Sequence, residues 1–331
     1  MKAMDLKAAV IGAGIISDQH FEAMQRTEGY TPCAVVDINK DKAEQAAKRY
    51  GVRAYTDYHE MMETEQPNVA AIALPHFLHK ETALYAAERG CHLMLEKPMA
   101  LTTTECDEII AAARRGNIRI LVGHTQHYMA ENLAAKAILN SGELGELVMI
   151  NDTRHIHYYK DSRPQWFLEK AKSGGGILAN LGAHSIDKIQ WLTDSYVRRV
   201  RASVSHHGKR GDVEGSGIIW LELDNGIPAT IVQSGYPGAS RNETELIFTG
   251  GMLKLNTGQD LWISRGGTYE PVEVTAIATP FELQYRELRD AIREARDPEC
   301  SGDYGRSVIA AIEQVYRSAE TGTEQEVTRP V

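Results

Sequence analysis

Apolar residues in the first third of the chain come in short blocks, at 6–11, 32–36, 69–74, 91–95 and 118–122, interrupted only by Lys7, His92 and Arg119. A strand that is apolar at every position is buried on both faces, as in a parallel sheet. Between the blocks, apolar positions recur at helical spacing and the helix ends carry their usual signals. Asn39 is placed to cap a helix that reaches Tyr50 and closes at Gly51, and Asp57 opens another to about residue 64. A third helix runs over 79–89 and ends at Gly90, while Thr102 and Glu105 have capping-box spacing for a fourth that reaches Arg115. Alternating strands and helices predict a doubly wound parallel sheet.

After residue 123 the pattern changes. A helix at 130–139 and a turn at 141–145 precede a long polar–apolar strand at 147–159, which carries Arg154, His155, His157 and Tyr159. Strand-like runs follow at 197–205, 217–223, 229–234, 245–248, 252–256 and 261–264. Asp224-Asn225-Gly226 between two of these is a hairpin signal. Strands joined by short turns predict an α+β domain on a large, mostly antiparallel open sheet. Helices at 281–296 and 304–319 close it, so the domains are 1–122 and 123–331.

Chemistry is legible at three places. The first strand runs into Gly12-Ala13-Gly14-Ile15-Ile16-Ser17 and then a helix, a G-x-G-x-x-S form of the dinucleotide fingerprint. Gly12 permits the tight turn, Gly14 lets backbone approach a pyrophosphate, and the helix N-terminus supplies N–H groups. Asp37 ends the second strand at roughly the twenty-residue spacing of a ribose-binding acid. Its charge repels a 2′-phosphate, which favours NAD; Lys40 and Lys42 keep NADP as the alternative. Glu96-Lys97-Pro98 ends the 91–95 strand, where open α/β sheets bind ligands. Lys97 either points into that crevice or simply reaches water.

The third place is Gly174-Gly175-Gly176 and the helix after it, on which Asn180, His184 and Asp187 share a face at i, i+4 and i+7. That face is either a site or a solvated stripe. Of the other histidines, His206 and His207 beside Lys209 and Arg210 read as a solvated loop. His155 and His157 lack the carboxylates of a metal site, and no metal is expected. Trp166, after Arg163-Pro164, is placed either to stack on a sugar ring or to enter the core.

The 331 residues are 43% hydrophobic and 24% charged, the composition of a globular protein large enough for two cores. A net charge of −9 excludes the basic face that nucleic acid or an anionic membrane demands. Cys33, Cys91, Cys106 and Cys300 are scattered without metal spacing, as reduced thiols are. The first residues, Met1 to Lys7, show no signal-peptide pattern, and no apolar run nears the ~20 residues of a membrane span. The expected location is the cytoplasm.

Together, the Gly12–Gly14 loop with His20, Asp37, Pro75 with His79, Glu96-Lys97-Pro98 and Val122-Gly123 resemble the glucose-fructose oxidoreductase / inositol dehydrogenase / MocA (Gfo/Idh/MocA) family. The resemblance covers essentially the whole chain. It implies a Rossmann domain whose cofactor is lined by Gly12, Gly14, Ile15, Ile16, Asp37, Leu74, Pro75, His79, Glu96 and Lys97. It places Lys97 beside both the nicotinamide and the reacting carbon, and makes His184 the acid–base histidine. Asn180 stands where inositol dehydrogenases carry an Asp paired with that histidine, so it orients the ring without stabilising imidazolium. Gln126, His127, Tyr159 and Trp166 become substrate contacts. The implied activity is NAD(P)-dependent hydride transfer on a secondary alcohol or ketone of a sugar, polyol or related cyclic compound. Within the family the alternatives are a glycosidase using NAD for transient oxidation and a nucleotide-sensing regulator without chemistry. The resemblance also implies a homodimer or homotetramer assembled through the second sheet. Many members carry arginines after Val-Gly, where this chain has His124-Thr125-Gln126-His127-Tyr128. That departure points toward a neutral polyhydroxy substrate.

Overall fold

The computed structural model describes residues 5–328. The expectation for Met1 and the three residues after it therefore lies outside the described residues, and the first strand begins at Leu6. The chain divides into two compact units. One takes the chain as far as Thr125 and then Ala278–Arg306; the other takes Gln126–Ile277 and continues from Ser307.

The first unit holds β1 (Leu6–Ile11), β2 (Tyr30–Val36), β3 (Arg53–Tyr55), β4 (Val69–Ile72), β5 (His92–Leu95) and β6 (Ile120–Val122), in the order β3-β2-β1-β4-β5-β6 and parallel throughout. Residues of β1, β4 and β5 are almost wholly buried apart from Lys7 and His92, which is why these blocks read as largely apolar runs. The helices between them are α1 (Ser17–Arg26), α2 (Lys40–Tyr50), α3 (Tyr58–Glu65), α4 (His79–Ala87) and α5 (Thr103–Gly116). The predicted caps form: Asn39 accepts from the Lys42 N–H, Asp57 from the His59 N–H, and Thr102 from the Glu105 N–H. The Glu105 carboxylate reaches the Leu101 N–H at 2.9 Å, one residue earlier than a standard capping box.

The second unit carries α6 (Ala130–Ser141) and β7 (Leu147–His155), then a short α7 (Lys170–Ser173) and α8 (Ala183–Thr193). Seven strands follow: β8 (Val197–Ser205), β9 (Ser216–Leu223), β10 (Pro228–Ser234), β11 (Arg241–Phe248), β12 (Gly251–Asn256), β13 (Asp260–Ser264) and β14 (Glu270–Val272). With β15 (Gln325–Glu326) they form a nine-stranded sheet, β14-β13-β12-β11-β7-β10-β9-β8-β15. Only the β7–β10 pair is parallel. β7 ends at His155, so His157 and Tyr159 lie beyond the strand that the alternation extended to 159. The chain leaves the sheet there, as Tyr158 donates its N–H to Gly235 instead.

Two helices follow the sheet, α9 (Pro280–Glu294) and α10 (Gly302–Thr321). The sequence groups α9 with the second domain, but it belongs to the first unit. There Tyr285 accepts at its carbonyl from the Tyr30 hydroxyl (2.8 Å), and Glu282 pairs with Arg26 (3.4 Å). An amphipathic helix read alone does not say which core its apolar stripe will cover. The division of the units falls inside α10, after Arg306.

In the second unit, α8 is fastened to the sheet by buried charge. Lys188 pairs with Asp152 on β7 at 2.9 Å, both almost fully buried. Asp152 also accepts from Ser185 (2.5 Å) and Thr244 (2.7 Å), and these partners hold its carboxyl below the usual range although burial pushes it up. Such a pair fixes position more than it adds stability, because desolvation offsets the attraction.

In the first unit, His92 Nδ1 accepts from the Arg119 N–H (2.8 Å), and burial lowers its pKa from 6.5 to about 4. Between those values the unfolded chain binds a proton that the native ring refuses, so stability falls as pH drops through that window. Replacing His92 by Asn, which keeps an acceptor, should flatten this loss. Urea midpoints of the variant and the parent at pH 7 and 4.5 provide the check; parallel changes would exclude His92 as a source.

Candidate active site

In the first unit the sheet order reverses between β1 and β4, which opens a crevice at their carboxyl ends. Gly12 occupies that point with φ +106°, and a Cβ there would sit 2.4 Å from the Ala73 carbonyl oxygen. The fold itself therefore requires this glycine. Gly14 is different, because nothing lies within 4 Å of the Cβ it lacks. That open space beside the start of α1 suits a pyrophosphate. Ser17 donates to the Gly14 carbonyl at 2.6 Å and pins the loop to the helix. Asp37 accepts from the Ala13 N–H (3.0 Å) and the Asn39 N–H (2.8 Å), which holds a carboxylate at the rim of the loop. Ile15 and Ile38 are each 95% exposed at the same rim, apolar surfaces of the kind a bound base would cover. Ile15 is among the residues the resemblance implies and Ile38 is not; its signal in the sequence is a lone apolar residue directly after the strand-end acid. These residues fit a dinucleotide.

The next two strand ends are tied together by His79. Its Nδ1 lies 2.9 Å from the Pro98 carbonyl and its Nε2 2.9 Å from the Leu74 carbonyl. Burial holds the ring's pKa below its ordinary value. A neutral ring has one N–H and so makes one true hydrogen bond at a time. His79 thereby lies between Leu74-Pro75 and Glu96-Lys97-Pro98, within reach of both carbonyls.

Glu96 has its own frame. Oε2 accepts from the Lys97 N–H (3.2 Å), and Oε1 lies 3.3 Å from His20 Nε2. Nδ1 of His20 meets the Tyr285 hydroxyl at 3.0 Å. Burial pushes the Glu96 carboxyl up, but His20, Lys97 and His79 outweigh it and hold it below the usual range. Its carboxyl atoms would lie 3.2 Å from a Cβ at Gly123, which explains the glycine that ends β6. Lys97, half-buried, follows this fixed carboxylate.

In the second unit, residues 178–182 form a π-turn (Leu178–Gly182) leading into α8. Asn180 lies within that turn and His184 in the first turn of α8, so the face expected of one regular helix is bent by the wider turn. Asn180, buried, donates to the Tyr158 hydroxyl at 3.4 Å. Tyr158 is itself fully buried, with the Arg163 guanidinium 3.9 Å over its ring, and burial pushes its pKa up to about 12. Its neighbour Tyr159, the substrate contact that the resemblance implies, donates its hydroxyl to the Val213 carbonyl (2.9 Å). The two rings meet edge to face at 5.9 Å, and only the backbone decides which hydroxyl meets Asn180.

His184 is half-buried. Asp187 lies 2.7 Å from His127 Nε2, both side chains fully buried, and the His127 ring stacks on Trp191 at 4.9 Å. Gln126 accepts from Asn132 at its carbonyl (2.8 Å). His127 and Gln126 thus fasten the 125–128 turn to α6 and α8. Trp166, half-buried, stacks on Phe167 at 3.7 Å.

Two of the three glycines before the π-turn are pressed by the protein's own atoms. A Cβ on Gly175 would meet the Tyr316 hydroxyl at 2.0 Å, and one on Gly176 the Glu214 carbonyl at 2.0 Å. Glu214, which the sequence reading missed, accepts from the N–H groups of Gly176 and Leu178 (2.8 Å each) and from Tyr316 (2.9 Å). Burial nevertheless holds its carboxyl above the usual range. Among the described residues no group of three or more His, Cys, Asp or Glu is placed to hold a metal, and no helix is long and apolar enough to cross a membrane.

The two first glycines separate by experiment. Gly14→Ala should melt with the parent yet bind NAD at least ~10-fold more weakly, whereas Gly12→Ala should fail to give a stable first domain. Calorimetric titration with NAD and thermal melts of both variants check this; equal affinity in Gly14→Ala would exclude the loop from the cofactor site.

Comparison with known proteins matches residues 6–124 to the oxidoreductase family with an NAD-binding Rossmann fold, and residues 132–254 to the GFO/IDH/MocA C-terminal domain. Inositol 2-dehydrogenase of Salmonella typhimurium is 28% identical over 60% of this chain, a match spanning only 57% of that protein's length. An inositol 2-dehydrogenase/D-chiro-inositol 3-dehydrogenase of Lactiplantibacillus plantarum is 25% identical over 98% of this chain and 94% of its own. Levoglucosan dehydrogenase, solved with NADH and L-sorbose, superposes with a TM-score of 0.88 over 98% of this chain and 99% of its own, at 21% identity, a likeness of fold. A parallel Rossmann sheet with its glycine cradle, followed by a mostly antiparallel nine-stranded sheet, and two family models meeting these same stretches, place the chain in the Gfo/Idh/MocA family of oxidoreductases.

Proposed function

We propose that this protein is an NAD-dependent oxidoreductase that acts on a secondary alcohol or ketone of a sugar, polyol or related cyclic compound. The observation that carries the reading is Lys97, set by Glu96 and Pro98 at the carboxyl end of β5, on the same sheet edge as the Gly12–Gly14 cradle. The named relatives that oxidise inositols and sugars support the substrate class. Asp37 at the loop rim supports NAD over NADP, because its charge disfavours a 2′-phosphate.

The bound nicotinamide supplies the hydride acceptor. Lys97 donates a hydrogen bond to the reacting oxygen and stabilises alkoxide character as it develops. His184 takes the hydroxyl proton as general base, or returns it in reduction. Asn180 holds a neutral amide near that ring, anchored on Tyr158. With no carboxylate at that position, imidazolium gains less stabilisation than an Asp partner would give it. Gln126, His127, Tyr159 and Trp166 act by shaping the surrounding shell, as their packing within the second unit supports. A second copy of the chain is the proposed partner, seated on the half-exposed sheet face that carries Ile218 and Trp220. Light scattering at micromolar concentration should give at least twice the chain mass; a monomer rejects this assembly.

Lys97→Ala should bind NAD as the parent does while losing at least ~100-fold in turnover. Cofactor titration together with absorbance of the reduced nicotinamide, over a panel of inositols, hexoses and keto-sugars, reads both quantities. Unchanged turnover in the variant removes Lys97 from the chemistry.

A further inference from the structure

The expectation of a neutral substrate rests on arginines missing from the turn after β6. The second unit holds one elsewhere. Arg154 lies on β7 two positions beyond Asp152, on the sheet face that α8 covers. Its strand neighbours are Gln233 on β10 and Asn242 on β11. Gln233 is buried and donates to Ser185 of α8 at 3.0 Å, so this part of the face lies under the first turns of that helix. Asn180, just before α8, turns toward the same end of β7, because its amide meets Tyr158, three residues past the strand.

Arg154 is half-buried, and its guanidinium makes no hydrogen bond or ion pair with any other described residue. Burial lowers the pKa of its guanidinium, and the charge of Asp152 opposes that. Asp152, however, is already paired with Lys188 and bonded to Ser185 and Thr244. The remaining guanidinium keeps its charge and five donors in a planar fork, shaped for two oxygens of an anion. None of its nitrogens is both buried and unpartnered, so water reaches the fork, but half-burying such a group without a protein acceptor still costs free energy. Other half-buried arginines of this unit are satisfied. Arg199 is bonded to Glu222, and Arg163 donates to the Tyr158 carbonyl while lying over two aromatic rings.

We propose that Arg154 binds an anionic group of the substrate, so that the substrate is a sugar or polyol bearing a carboxylate or a phosphate. This rests on the oxidoreductase reading above and narrows its substrate class. Arg154 is a binding residue that takes no part in proton or hydride transfer.

The test measures kcat/KM of the full chain with NAD⁺ for matched compounds: D-glucose and myo-inositol, D-gluconate and D-glucuronate, and glucose 6-phosphate. An anionic member should exceed its neutral counterpart by at least ~10-fold, and Arg154→Gln should lower that ratio by ~10- to 100-fold, mostly through KM. Arg154→Lys should restore part of it. Whether the carboxylates or the phosphate show the effect identifies the anion. Preference for the neutral compounds, or a ratio that Arg154→Gln leaves unchanged, overturns the proposal. If no compound reduces NAD⁺, the oxidoreductase reading fails separately. Calorimetric titration of D-gluconate and glucose 6-phosphate into the parent and Arg154→Gln then decides the anion site: binding lost in the variant supports it, and equal or absent binding overturns it. Thermal melting adds an independent readout, because deleting a half-buried cation without a protein partner should raise Tm by a few degrees. A lower Tm would assign Arg154 to the fold and also overturn the proposal.

Discussion

The first domain depends on strand ends held at fixed spacing, and a single buried imidazole does much of the holding. His79 lies within hydrogen-bond distance of the carbonyl after β4 and the carbonyl after Lys97. One ring thus links the segment at the edge of the cradle to the segment carrying the proposed electrophilic lysine. A long flexible side chain would lose this precision, because each rotamer admits a different separation. A planar ring with both nitrogens near a carbonyl narrows it, whichever of the two carries the N–H. The same economy appears at Glu96, whose carboxylate is framed by its own next N–H, by His20 and by the bare backbone of Gly123. Lys97 therefore starts from a backbone with little freedom, which lets it stabilise developing charge without first reorganising.

The elements that depend on local patterning were legible from the chain alone. Buried parallel strands announce themselves as largely apolar runs, and Asn39, Asp57 and Thr102 cap the helices their spacing implies. What was not legible depends on long-range choice. Helix α9 has an apolar stripe that would suit either core, and the contacts of Tyr285 and Glu282 with the first unit decide it. Tyr158 and Tyr159 are equivalent in any pattern, yet the turn after β7 sends one to Asn180 and the other to Val213. Glu214 could not be found from spacing, because it caps a helix 36 residues away in sequence.

The glycine motifs teach a related lesson. A glycine-rich segment is commonly read as room for a ligand, and at Gly14 the space is indeed open. Gly12, Gly175 and Gly176 are glycines for the opposite reason, since the protein's own atoms already fill the place of a side chain. The motif alone does not separate the two cases. In the second unit this matters for chemistry: the Glu214 carboxylate and the Tyr316 hydroxyl close onto the triple glycine and hold the π-turn that presents Asn180.

Charge in the second unit then sorts by whether the fold has answered it. Lys188 and Asp152 are buried as a pair, and removing either would strand the other, so their retention is explained by the docking of α8. Arg154 shares their sheet face but has no such explanation among the described residues. Positional logic also separates it from the surface arginines, which water satisfies wherever they lie. Half-burying a cation without a protein acceptor costs free energy, and on this face the proposed acceptor that offsets the cost arrives with the substrate. Substrate choice in this protein would then rest on a strand residue outside the 124–128 turn. That accounts for the neutral appearance of the 124–128 turn without requiring a neutral ligand.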